Sequence, residues 1–166
     1  MSFQTPITIQ KAVQNVNKDY FLPSIQRELV WKPEQIERLF DSILRGYPIG
    51  SFLFWKVKRE NCKKYQFYRF VDNYSQKHNT HNVRAVISEE KELTGILDGQ
   101  QRLTALYIGL FGTYAYKIKY KQWDNPHAFP TRKLYLNITT PPPEEQASLS
   151  SSYQCSWKKL NFSISL

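Results

Sequence analysis

Apolar positions recur at helical spacing in three stretches of the chain and at strand spacing, or in short unbroken runs, in several others. Ile9, Ala12, Val13 and Val16 follow Thr8, a residue suited to cap a helix, and predict a short amphipathic helix. Ile36, Leu39, Phe40, Ile43 and Leu44 predict a second helix over 33–45. Pro33 suits its first turn and Gly46 the position just past its end. Leu103, Leu106, Tyr107 and Leu110 share one face of a third helix over about 100–110. Between these, residues 19–30 are extended around Pro23. Residues 51–57, aromatic and branched and entered through Tyr47-Pro48-Ile49-Gly50, read as a buried strand. Tyr65, Phe67, Tyr68 and Phe70 alternate imperfectly with polar residues, as in an edge strand, and 72–82 reads as a polar loop. Residues 93–98, 114–120 and 132–138 complete the strands. The order is α/β, a small mixed sheet with flanking helices.

The pattern fades after residue 138. Pro141-Pro142-Pro143 and the serines up to Ser152 have linker composition. A packed domain is therefore expected over 1–140, with linker and tail over 141–166, the stretch 153–166 being either one last strand or a frayed end. A chain of 166 residues with 41% hydrophobic and 15% aromatic content can bury one core. It has no apolar run long enough to span a membrane and no basic start followed by an apolar segment, so a cytoplasmic protein is expected. Cys62 and Cys155 form no CxxC or metal spacing and read as ordinary thiols of a reducing compartment. A net charge of +9 and a pI near 9.5 suit an acidic partner, DNA or a nucleotide. A basic face that merely aids solubility accounts for the charge equally well.

One segment carries candidate chemistry. In Gly95-Ile96-Leu97-Asp98-Gly99-Gln100-Gln101-Arg102-Leu103-Thr104 a strand ends at Asp98 and a helix starts near Gln100. The first helical amides and the positive end of the dipole would then point at one place. Gly99 would let a ligand approach the backbone, and the planar fork of Arg102 suits phosphate oxygens. A carboxylate at such a site makes sense if Asp98 holds a cation or orients a water. The plainer alternative is that Asp98 caps the helix and Arg102 lies on a solvated face. His78-Asn79-Thr80-His81 has no acidic residues or cysteines flanking it and does not read as a metal or nuclease site.

Three ordered motifs, Leu22-Pro23-Ser24-Ile25-Gln26-Arg27, the run from Leu39 to Gly50 that contains Asp41-Ser42-Ile43-Leu44-Arg45-Gly46, and Leu97 to Thr104, resemble the N-terminal domain of GmrSD-type, modification-dependent restriction proteins. These in turn are similar to the ParB/sulfiredoxin superfamily, and the resemblance covers roughly residues 5–140. It implies nucleoside triphosphate binding and hydrolysis with Mg²⁺. Asp98, Gln100, Gln101 and Arg102 would form the catalytic shell, with Asp98 on the metal. Gln26, Arg27, Gly99, Gln100, Arg102 and Thr104 would contact the nucleotide. Sulfiredoxin places a cysteine where Gln100 stands, so its thiol chemistry is excluded here. CTP-dependent relatives carry an acidic residue and two arginines in this turn, against two glutamines and one arginine here, and the base preference stays open.

Related proteins continue into a helical region and often an HNH nuclease domain. Neither pattern appears in these 166 residues, so a nuclease is expected from another domain or subunit. DNA contacts are candidates at Lys63 and Lys64, among aromatic residues, and at Lys117, Lys119 and Lys121, which alternate with Tyr116, Ile118 and Tyr120. Both groups also read as strands with one wet, charged face. The expected function is a nucleotide-binding and hydrolysing domain that gates action on DNA in a restriction or phage-defence system. The alternative is a non-enzymatic DNA-binding or protein-interaction module.

Overall fold

The computed structural model describes residues 5–24, 29–87 and 92–137, and the backbone alone of 154–159. In chain order the described elements are α1 (Ile9–Asn15), β1 (Tyr20–Pro23), α2 (Pro33–Leu44), β2 (Leu53–Val57), a 3₁₀ turn (Arg59–Lys64), β3 (Phe67–Tyr68), β4 (Asn73–Ser75), β5 (Leu93–Asp98), α3 (Gln100–Phe111), β6 (Thr113–Ala115), β7 (Thr131–Asn137) and β8 (Gln154–Lys159). They form two four-stranded sheets rather than one, ordered β2-β5-β1-β3 and β4-β6-β7-β8. Both are mixed. β1 runs parallel to β5 and β4 parallel to β6, and the other pairs are antiparallel.

The helices form where the spacing predicts, with caps to match. The Thr8 hydroxyl accepts the Lys11 amide at the start of α1. Gln35 reaches back to the Lys32 amide at the start of α2. At the far end of α2 the Gly46 and Tyr47 amides close onto the Ile43 and Ser42 carbonyls, a Schellman motif. The buried residues of α3 are Leu103, Thr104, Ala105, Leu106 and Ile108, while Leu110, expected on the buried face, is half exposed. This broad face packs with Val13, Ile36, Leu39 and Tyr114 into the main core.

The first sheet is covered on both faces. Leu22 and Ile96 join the helices, whereas Phe21, Val57, Phe67 and Leu93 form a second cluster with Cys62 on the other side. Double coverage explains the near-continuous apolar runs of β1 and β5. β2, expected as a buried strand, is an edge strand, and Leu53 at its start is 45% exposed. Its apolar character follows from its two covered faces and not from a central place in the sheet.

Three expectations change. The aromatic segment at 65–70 supplies an edge strand of only Phe67–Tyr68, preceded by the 3₁₀ turn that carries Lys63 and Lys64. The polar loop at 72–82 contains β4, which adds an edge to the second sheet. The strand expected over 114–120 stops at Ala115, and Lys117, Lys119 and Lys121 follow in irregular chain. The proline- and serine-rich stretch lies outside the described residues. Beyond it β8 pairs with β7 from Arg132 against Lys159 to Asn137 against Gln154, which is the last strand left open as one alternative for residues 153–166.

Tyr114 anchors the second sheet to the helices. Its ring is 1% exposed and stacks on Tyr74 at 4.8 Å, and its hydroxyl donates to the Trp31 carbonyl at 2.6 Å. Burial first, then the neighbouring Tyr74, Tyr116 and Glu34, raises its pKa far above the ordinary 10.0. Because the folded value is the higher one, the neutral hydroxyl stabilises the fold fully below pH 10 and that contribution declines as pH rises further. Tyr114→Phe should lower stability by about 1 kcal/mol at neutral pH. The difference from wild type should shrink above pH 10 in denaturant melts; a constant difference to pH 11 would contradict it.

Candidate functional site

β1 and β5 lie side by side and parallel, so their C-terminal ends share one edge of the first sheet. The chain turns there from Asp98 through Gly99 into α3, at an edge where open α/β sheets commonly hold ligands. Gly99 has φ +84°, a left-handed conformation that other residues adopt at a cost, and no side chain caps the helix. The helical ladder begins with the Leu103 amide on the Gly99 carbonyl, so the amides of Gln100, Gln101 and Arg102 lie outside it. Asp98 projects at the rim with its side chain 67% exposed. Among the described residues no group of three His, Cys, Asp or Glu side chains is placed to hold a metal. A cation at Asp98 would therefore need oxygens from water or from a ligand.

Arg102 does not lie on a solvated face. Its side chain is 20% exposed, and its guanidinium donates to the Ile49 carbonyl at 2.5 Å and the Ser51 carbonyl at 2.7 Å. It lies 4.8 Å from the centre of the Phe52 ring and 3.6 Å from the Asp98 carboxylate. The fork thus holds the loop that enters β2. Gly50, at φ +85°, sits so close that a Cβ there would overlap Nη1 of Arg102. The close neighbour at Gly99 is likewise protein: a Cβ on it would strike the Phe52 ring.

The other expected contacts are placed unevenly. The Gln101 side-chain oxygen accepts the Val30 amide at 3.1 Å, fixing the strap that leads into α2. Gln100 is partly buried at the helix start. Thr104 is 5% exposed and its hydroxyl donates to the Gln100 carbonyl at 2.7 Å, so it serves the helix and does not line the surface turn. Gln26 and Arg27 lie outside the described residues; the chain on either side, Pro23 and Val30, flanks the edge occupied by the turn.

Beside Arg102 a shallow cavity of about 270 Å³ opens between α2 and the loop at 48–49. Gln35, Arg38 and Ser42 line it from α2, with Trp31 at one end. These residues are absent from the motif-based set. Their signal in the sequence is a polar stripe at helical spacing, Gln35, Arg38 and Ser42, running between the apolar positions of the same helix.

The candidate DNA lysines fall in two separate places. Lys63 lines a cavity of about 530 Å³ with Arg59, Tyr65 and Arg84. It lies at the opposite end of β5 from the turn, since β2 pairs Val57 with Leu93 and Leu53 with Asp98. Lys64 donates to Asn61 at 2.9 Å. Lys117 and Lys119 line a broad groove between the start of α2 and the second sheet, while Lys121 offers its carbonyl to the Lys117 ammonium.

The chain matches the family described as the GmrSD restriction endonuclease N-terminal domain over residues 9–163. It belongs to that family. The membership gives it a restriction-system context. The chain is also 32% identical over 108 residues to the uncharacterized protein MJ0686 of Methanocaldococcus jannaschii, a match covering 65% of this chain and 17% of that protein. It thus spans about a sixth of the relative's length. No described helix is long and apolar enough to cross a membrane.

Because Arg102 holds two backbone carbonyls, Arg102→Ala should destabilise the ligand-free protein by about 1–2 kcal/mol, partly offset by water reaching the exposed Ser51. Gly50→Ala, which keeps the arginine but displaces it and strains the backbone, should destabilise comparably. Thermal melts of both variants that overlay the wild-type curve would show that the clamp contributes nothing.

Proposed function

We propose that the turn at 98–102 binds the phosphates of a nucleoside triphosphate with Mg²⁺, and that hydrolysis there gates action on DNA in a restriction or phage-defence system. The observation that carries this reading is the junction itself. Gly99 opens α3 without a side-chain cap, Asp98 stands exposed beside it, and a cavity bearing Arg38 and Arg102 adjoins it. Helix amides and arginines meet the charge of a phosphate, and Asp98 is the acid available to bind the cation or position the attacking water. Gln100 would orient that water. Gln101, already bonded to Val30, fits better as a residue that shapes the site. The likeness to the ParB/sulfiredoxin superfamily belongs to the same proposal. It is supported by the order of strand, helix, strand and glycine turn along the chain.

One observation favours a second reading. Arg102 spends two of its donors on Ile49 and Ser51, which suits a scaffold residue in a non-enzymatic DNA-binding or protein-interaction module. Phosphate release over time, with and without DNA, separates the two. A nuclease domain or subunit as partner, and a cytoplasmic setting, complete the proposal.

A triphosphate with Mg²⁺ at a hundred times its dissociation constant should stabilise the protein by about 2.7 kcal/mol. Arg38→Ala should reduce that shift without the loss of ligand-free stability expected for Arg102→Ala, since Arg38 is an exposed helix residue. Asp98→Ala should keep affinity within about tenfold yet lose turnover, as expected for a group that acts mainly in the transition state. Absence of any shift with ATP, GTP, CTP and UTP would overturn the nucleotide reading. Shifts without phosphate release would leave a binding module.

A further inference from the structure

In the turn that follows β6, Tyr120 adopts φ +67° although it is neither glycine nor asparagine, and its ring is 89% exposed. A bulky side chain in the left-handed region is strained, and no burial of this ring offsets the strain. The turn that imposes it is held from within: the Lys121 amide bonds the Ile118 carbonyl, and the Lys117 ammonium bonds the Lys121 carbonyl. The Lys119 ammonium lies 5.1 Å from the ring centre. Tyr120 thus stands at the edge of the groove already described, a concavity of about 750 Å³. Lys32 reaches the groove from the start of α2 and Arg132 from β7, joining Lys117 and Lys119. Glu34 and Glu37 also line it, on the α2 side, so four cations stand against two carboxylates.

We infer that this groove binds a single strand of DNA, with Lys32, Lys119 and Arg132 along the phosphates and Tyr120 as a stacking surface for an unpaired base. A rigidly presented aromatic face among cations fits an unstacked base next to its phosphodiester backbone. It fits a duplex less well, because there the base faces are hidden by their neighbours. An acidic protein surface would use the cations but would leave the exposed ring without a role. The inference rests on the DNA part of the function proposed above and adds the surface and the strand state. The strap of Trp31 and Lys32 places this groove next to the turn, and the groove shares no lining residue with the cavity around Lys63.

The test is fluorescence anisotropy with labelled single-stranded and duplex oligonucleotides at low salt, with a thermal melt of every variant. Tyr120→Gly should weaken single-strand binding by roughly 5- to 100-fold, the range of one lost base stack. Its melting temperature should not fall, because glycine accepts this φ freely. Tyr120→Phe should retain the affinity. The pair Lys32→Gln and Arg132→Gln should flatten the log–log salt slope by about 0.7 per cation removed. Single-strand binding unchanged by Tyr120→Gly, or a preference for duplex, would overturn this inference and leave the DNA proposal standing. If wild type binds neither form, both fail. The nucleotide-induced melting shift decides the triphosphate proposal separately.

Discussion

The guanidinium of Arg102 joins the start of α3 to the loop that enters β2, through the carbonyls of Ile49 and Ser51, while its plane lies against Phe52. Phe52 in turn covers Gly99, so the ring is held between the arginine and the backbone of the turn. Two conformational requirements follow from this one arrangement. Gly50 must stay without a side chain because the fork occupies the space, and Gly99 must do so because the ring does. A lysine would be a poor replacement for the arginine, since its compact ammonium lacks the planar fork that reaches both carbonyls while lying over the ring. A guanidinium has five N–H donors, and two of them hold the loop. Under the proposed function a phosphate would engage the rest, and any pull on the fork would also load the entrance to β2. In that proposal ligand binding and loop geometry would be one problem at this residue.

The sequence made the β5 to α3 junction legible because the strand, turn and helix that form it are contiguous in the chain. An apolar strand, a glycine and an amphipathic helix follow one another within twenty residues, and Leu93–Asp98 and Gln100–Phe111 appear where the pattern places them. α2 was equally legible from Pro33 and its apolar spacing. What escaped depends on partners distant in the chain. β4 has only three residues, in a segment rich in polar side chains, and exists because it pairs with β6 some forty residues later. β2 reads as buried because both its faces are covered, yet among the described residues no strand pairs with its outer edge. The alternation of Lys117, Lys119 and Lys121 has the period of a strand but belongs to a turn, because Tyr120 reverses the sign of φ. The partners of Arg102 are backbone carbonyls about fifty residues away, and a carbonyl has no signature in a sequence.

The strap between β1 and α2 gives the turn and the groove a common support. Within three consecutive residues the Val30 amide bonds Gln101 at the start of α3, the Trp31 carbonyl accepts from Tyr114 in the second sheet, and Lys32 opens α2 at the groove. Each bond ties the strap to a different layer, so a displacement of Gln101 acts on a backbone that Tyr114 holds a residue later. Tyr114 is among the most buried of the described side chains and stacks with both Tyr74 and Tyr116, which makes it a poor place for the displacement to be absorbed. The exposed ends of the strap are Val30 and Lys32. A physical link between phosphate at the turn and an anionic strand in the groove would thus run through the main chain of the strap. It requires only that the two ligands prefer different positions of Val30 relative to Tyr114.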